Sequence, residues 1–278
     1  MPLTHGDAFL HVNQIDAFVW NAAPIAEYES QTPDDTSRAI ARHIAPLVQD
    51  GATIQTGIGG IPSAVMEALR EKSDLGVHTE MFSDGMVDLI RRGNVTCKRK
   101  SYVAGHVVCT FVIGSRDLYD EVHDNPFYQF RQSEHVNDPF VIANNDNMVA
   151  INGAIEVDVT GQVVADSIGH EMYSGIGGQV DFIRGSARSR GGLPIIAMPS
   201  LTSKGASKVV TRLKHGAGVV TSRGDVHYVV TEYGVASLHG KSIGERCAAL
   251  VSISHPSVRT GLEAECKELG LWRGPRWV

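Results

Sequence analysis

A chain of 278 residues with 42% hydrophobic and 20% charged content carries enough apolar material for one large or two modest cores. Its net charge of −6 argues against nucleic acid as a partner, because phosphate binders usually present a basic face. The longest apolar runs, such as PIIAMP and YVVT, are far too short to span a bilayer, and the polar opening MPLTHGDAF has no leader pattern, so a soluble, cytoplasmic protein without a membrane partner is expected.

The first 35 residues read as the end of something rather than a beginning. AFLHVNQIDAFVW alternates like a strand, and NAAPIAEYESQTPDD is a polar, proline-bearing connection. The pattern then becomes regular. Asp35 or Thr36 caps a helix that runs to about Val48 and stops at Asp50-Gly51, and strand 53–56 (TIQT) follows. The glycine turn GIGGIP leads into a helix over about 63–72, with Pro62 in the first turn where proline is tolerated. Next come the strand-like GVHTEMF and a helix over about 84–92, capped by Ser83-Asp84. Beyond these lie VVCTFVIG, FVIAN, a hairpin within AINGAIEVDVTGQVVADS turning at Thr160-Gly161, SGIGGQVDFIRG, PIIAMPS and VHYVVTEYGVA. Two helices close the chain, one in KSIGERCAALVSI and one over about 257–269. Strands alternating with helices predict an α/β fold, an open mixed sheet flanked by helices.

The glycine turn is the first candidate site. Gly57, Gly59 and Gly60 are followed by Ile61-Pro62, so the third glycine of a nicotinamide fingerprint is missing. The turn fits a backbone cradle for an anion or oxyanion as well as a βα turn kept tight for packing. Five carboxylates stand beside apolar strand positions: Glu80, Glu156, Asp158, Asp181 and Glu232. For each the ordinary reading is a solvated or salt-bridged side chain. Glu80 stands out because it follows the glycine turn by one helix and one strand, which brings it beside that turn at neighbouring strand ends. A second glycine cluster, Ser174-Gly175-Ile176-Gly177-Gly178, is either another row of backbone donors or a flexible turn. Two donor loops with a carboxylate between them suggest acyl chemistry, where a carbonyl oxygen turns negative.

Other features point away from chemistry. GVASLHGKS has five residues between its glycines where a P-loop has four, and there is no GxSxG elbow. Lys98-Arg99-Lys100 reads as a solvated loop, or as a contact for a cofactor with several phosphates. Cys97, Cys109, Cys247 and Cys266 form no CxxC pair, and the twelve histidines form no HExxH or HxH pair. Reduced, structural thiols and no metal site are therefore expected.

In order, QTGIGGIPSAVMEAL, LGVHTEMFSDGMVDLI, DPFVIANNDNMVAINGAIEVD, SGIGGQVDFIRG and VVTSRGDVHYVVTEYGVASLHGKS resemble the acetyl-CoA hydrolase/transferase family, most closely its 4-hydroxybutyrate CoA-transferase members. The resemblance runs from about Gly6 to Glu268. It implies that Glu80 forms a covalent glutamyl-CoA thioester, that Gly57, Ile58, Gly59, Gly60 and Ile61 form a CoA-thioester loop, and that Ser174, Gly178 and Lys204 contact CoA. A CoA-transferase-like fold follows, with residues 1–35 as an inter-domain connection or the end of a missing N-terminal half, 36–270 as the catalytic domain and 271–278 as a tail. The implied reaction moves CoA from acetyl-CoA or butyryl-CoA to a carboxylate such as 4-hydroxybutyrate, with no cofactor beyond coenzyme A as substrate. The partners implied are an acyl-CoA and a small carboxylic acid, together with a homo-oligomer or a separate N-terminal half. Two rivals stand beside this reading: acyl-CoA hydrolysis, and a truncated chain that binds CoA without turnover.

Overall fold

The computed structural model describes residues 1–272; the end of the expected tail, 273–278, lies outside the described residues. In chain order the elements are β1 (His5–Gly6), α1 (Asp35–Ile44), β2 (Thr53–Thr56), α2 (Gly60–Ala68), β3 (Gly76–Phe82), α3 (Asp84–Arg91), β4 (Val107–Val112), α4 (Arg116–Val122), β5 (Tyr128–Phe130), α5 (Ser133–Val136), α6 (Pro139–Ala143) and β6 (Met148–Asn152). There follow β7 (Glu156–Asp158), β8 (Val163–Val164), β9 (Ser167–Ile168), β10 (Glu171–Met172), α7 (Gln179–Arg188), β11 (Leu193–Ala197), β12 (Val209–Val210), β13 (Tyr228–Thr231), β14 (Gly234–Ser237), α8 (Ile243–Ser252) and α9 (Pro256–Glu268).

Nine strands form one sheet in the order β1-β5-β4-β3-β2-β6-β11-β13-β14, parallel except for β14 at the edge. The α/β architecture expected from the sequence is the one observed. From β2 the chain steps through α2 to β3 on one side, whereas β6 lies on the other side of β2 and continues through α7 to β11. Connections that leave adjacent strands in opposite directions open a crevice at the carboxyl ends of those strands, where open α/β sheets bind their ligands. The central strands TIQT and PIIA are apolar or buried on both faces, as expected where helices cover both sides of a parallel sheet.

Local chemistry corrects several expectations. The cap of α1 is Asp34, whose carboxylate accepts from Ser37 N at 2.7 Å; these bonds hold its pKa below the usual carboxylate value. Ser83 occupies the cap position of α3, but Asp84 spends its carboxylate on Ser115, accepting from both its backbone N and its Oγ. FVIAN, which reads as a strand-like run, is helical, because Asp138 caps Phe140 N and Pro139 starts the turn. AFLHVNQIDAFVW forms no strand. Only His5–Gly6 pairs, with β5, and Phe9, Leu10, Phe18, Val19 and Trp20 are exposed. The hairpin at Thr160-Gly161 is present as β7 and β8, and both C-terminal helices form where expected.

Lys100 is not solvated. It is buried, and its Nζ donates to Val77 O and His106 O, both at 2.9 Å; burial draws its pKa down to about 8. All four cysteines are buried and unbridged. Among the described residues no helix is long and apolar enough to cross a membrane.

His78 of β3 is fully buried, with its pKa lowered to about 3 by desolvation first and by the nearby Lys100 charge second. The unfolded chain takes up this proton near pH 6.5 while the folded protein refuses it until about pH 3. The stability that neutral His78 protects is therefore complete above 6.5 and is lost as pH falls through that window. Between pH 6.5 and 4 the urea-unfolding free energy of wild type is expected to fall more steeply than that of His78→Leu, by up to about 1.4 kcal/mol per pH unit. Parallel slopes would show that His78 is not the group responsible.

Candidate active site

The crevice between β2 and β6 holds a cavity of about 430 Å³. One wall is the glycine turn: Gly57, Ile58, Gly59, Gly60, Ile61 and Pro62 all line it. The opposite wall comes from the ends of β6 and β11, through Asn152-Gly153-Ala154 and Met198-Pro199. Gln31, Thr32 and Ser37 close the outside, and Lys208 supplies a cation. Gly59 has φ 114° and ψ −177°, a backbone state only glycine adopts readily, and it caps α2 without a side chain. The first amides of α2 have no partner within the helix and so remain available as donors at the crevice. Across the floor, Gln55 and Asn152 clasp their side-chain amides, with Asn152 Nδ2 donating to Gln55 Oε1 at 3.0 Å, which fixes the Asn152 side chain.

Glu80 does not line that cavity. It lies one strand over, half-buried on β3, because the ladder between β2 and β3 covers only Thr53↔Gly76 and Ile54↔Val77 before the two strands part. Its carboxylate packs against Gly178, the cap of α7, so closely that a Cβ on Gly178 would collide with Glu80 Oε2 and Asn137 Nδ2. Neither Gly59 nor Gly178 has a side chain to cap its helix, so two uncapped helix N-termini, α2 and α7, face the carboxyl end of the sheet. Asp181, in the first turn of α7, has its pKa raised by burial and then by the charge of Glu80. Two carboxylates thus share a partly desolvated place, an arrangement that costs stability.

The other sequence candidates are placed apart from this pair. Ser174 is exposed, and its Oγ donates to the neighbouring Gly175 O at 2.8 Å. Lys204 is exposed in the 202–206 turn and does not line the cavity. Lys208, four residues on, does: its Nζ donates to Ala154 O at 2.6 Å, and burial lowers its pKa against the opposing effect of Glu232. Three of the five carboxylates have structural partners. Glu156 is buried beside Lys214 and accepts from its backbone N at 2.8 Å; Asp158 closes the β7–β8 turn by accepting from Thr160 and Gln162; Glu232 accepts from Ser200 N at 2.9 Å and from its hydroxyl. Asn137, Asn152 and Lys208 escaped the sequence reading. Asn137 and Lys208 stand outside the quoted motifs, Lys208 marked only by directly preceding the apolar pair Val209-Val210, and Asn152 lies within DPFVIANNDNMVAINGAIEVD with nothing in the pattern to single it out.

An open α/β sheet with a carboxylate set against a glycine-capped helix, next to a glycine-walled crevice at its switch point, places an anionic side chain beside rows of backbone donors where such sheets bind ligands. Comparison with known proteins assigns this arrangement: residues 114–266 match the acetyl-CoA hydrolase/transferase C-terminal domain, and the chain belongs to that family. It is 47% identical over 269 residues to the 4-hydroxybutyrate coenzyme A transferase of Clostridium kluyveri, covering 96% of this chain and 63% of that protein. It is 48% identical to a succinyl-CoA:acetate/propanoyl-CoA:succinate CoA transferase of Fasciola hepatica, covering 95% of this chain and 56% of that protein. The crystal structure of 4-hydroxybutyrate CoA-transferase from Porphyromonas gingivalis superposes with a TM-score of 0.86 at 40% identity, over 97% of this chain and 64% of that one. The chain thus spans less than two thirds of the length of each.

Proposed function

We propose that this chain carries the catalytic half of a CoA-transferase that moves CoA from a short acyl-CoA, such as acetyl-CoA or butyryl-CoA, to a small carboxylate such as 4-hydroxybutyrate. The observation that carries the reading is the Glu80 carboxylate seated on Gly178 at the uncapped N-terminus of α7. A glutamate side chain is a weak nucleophile, so the site must stabilise what forms when it attacks. In this reading Glu80 Oε attacks the acyl-CoA carbonyl, backbone N–H groups of the glycine loops hold the oxyanion, and CoA thiolate leaves, giving an acyl-glutamyl anhydride. The thiolate then attacks the glutamyl carbonyl and releases the first carboxylic acid as its anion, which leaves a glutamyl-CoA thioester. The acceptor carboxylate reverses both steps and departs as the new acyl-CoA. Coenzyme A enters as substrate, and its long arm fits the crevice walled by Gly57–Pro62 and Lys208, where binding energy remote from the reacting atoms can position them.

Incubation with acyl-CoA in the presence and absence of an acceptor acid tests the reading. A new acyl-CoA only when acceptor is present is the expected result. Free CoA accumulating at the same rate without acceptor would instead mean that water takes the anhydride, making the chain a hydrolase. Gly59→Val provides a second check, since its Cβ meets nothing nearer than Gln31 Oε1 at 3.8 Å and so acts through the backbone conformation of the loop. Activity is expected to fall more than tenfold, towards the about 2.7–4 kcal/mol that one lost oxyanion donor costs. An unchanged rate would make the loop a packing turn.

A further inference from the structure

On β3, His78 and Glu80 are two residues apart and so face the same side of the sheet. That side is covered by α5, α6 and α7, with Val136, Ile142 and Phe182 in its small buried cluster. His78 is wholly buried there, and its Nε2 lies 2.9 Å from Val136 O. A carbonyl can only accept, so Nε2 carries the proton and the ring is the neutral Nε2–H tautomer. The Phe182 ring of α7 lies 6.2 Å from the imidazole, and the Tyr102 ring 6.4 Å. One side chain therefore ties the strand bearing Glu80 to the ends of both helices that border Glu80.

The residue after Val136 is Asn137, the C-terminal cap of α5. Its Nδ2 lies at the same face of Gly178 as Glu80 Oε2, while its Oδ1 is buried without a hydrogen-bond partner. An amide whose oxygen is buried without a partner has no strong anchor of its own. Its place is set by the backbone of α5, and a four-residue helix has little rigidity to contribute. The hydrogen bond from His78 to Val136 O is the contact from β3 that fixes that backbone.

We propose that His78 is a positioning residue for the Glu80 reaction: through Val136 O it holds the end of α5 so that the Asn137 amide stays beside the Glu80 carboxylate at Gly178. The proposal rests on Glu80 being the nucleophile. A histidine suits the task because it offers one directed N–H from a rigid ring, and burial keeps the ring neutral, so no second charge enters the site.

Two measurements on the whole chain test it, using His78→Leu, which removes the donor, and His78→Gln, whose Nε2 can reach the same carbonyl. The first is hydrogen exchange at the Asn137 amide, which bonds Ser133 O at 2.8 Å and needs no turnover to report. His78→Leu should accelerate it at least tenfold while Val108 on β4 stays protected, and His78→Gln should restore it. The second is the rate of the covalent adduct formed with butyryl-CoA, followed by intact mass. His78→Leu should lower the rate at saturation at least tenfold with the half-saturating concentration within twofold of wild type, and His78→Gln should recover most of it. Should the leucine variant not fold, His78→Asn, one bond shorter and unable to reach Val136 O, takes its place. Wild-type exchange at Asn137 or a wild-type adduct rate in the donor-less variant overturns the proposal. An adduct that persists in Glu80→Gln fails the nucleophile assignment instead, so the two failures are read separately.

Discussion

Glu80→Gln is expected to abolish CoA transfer and to leave no covalent adduct, while melting at or slightly above the wild-type temperature. The first half follows from chemistry, since an amide cannot supply the carboxylate oxygen that forms the anhydride or carry the thioester. The second half follows from the site. Glu80 is half-buried and its charge raises the pKa of Asp181, so two carboxylates repel each other in a partly desolvated place. The amide keeps the volume and removes one charge, which relieves the repulsion, the exchange of stability for activity expected at a built catalytic site. Activity is to be assayed as acyl-CoA exchange, the adduct as an intact-mass increase, and the thioester by borohydride, which reduces the glutamyl carbonyl to the alcohol and should inactivate wild type only after acyl-CoA is added. Full activity in Glu80→Gln would sink the assignment, and Glu156, despite its pairing with Lys214, would be the next carboxylate to test.

How much of this was legible in the chain depends on the range of the interaction concerned. The unit from β2 through α3 could be read because its signals are local: an apolar strand, a glycine turn whose Gly59 takes φ 114°, a proline in the first helical turn and a serine before the next helix. FVIAN was ambiguous because its run of four apolar residues suits either element, and the deciding partner, the Asp138 carboxylate, lies just outside it. The alternation of residues 8–20 predicted a strand, yet alternation settles nothing when no neighbouring strand is present to pair with, and Trp20 is 93% exposed. Lys100 looked solvated because its acceptors, Val77 O and His106 O, belong to the ends of two separate strands or their approaches. The same holds for the site. Glu80 and the GIGGIP loop announce themselves by order along the chain, whereas Asn137, Asn152 and Lys208 become site residues only when β6, β11 and α5 are folded against them.

Gly178→Ala is expected to lower the rate at saturating acyl-CoA by about a hundredfold with a smaller but measurable loss of stability. Gly178 has φ −86° and ψ 5°, a conformation alanine adopts without strain, so the substitution acts through space and not through the backbone. The added methyl falls where Glu80 Oε2 and Asn137 Nδ2 already lie, and the carboxylate, at the far end of a flexible side chain, is the group that can move. A displacement of about 1 Å at a reacting atom is enough for a loss of that size. A double-mutant cycle separates this cause from a general loosening of α7: in a Glu80→Ala background the methyl has room, so Gly178→Ala should there cost less stability than it does in wild type. Equal stability losses in both backgrounds, or a Gly178→Ala enzyme of wild-type rate, would show that Glu80 does not depend on the bare backbone of Gly178 for its place.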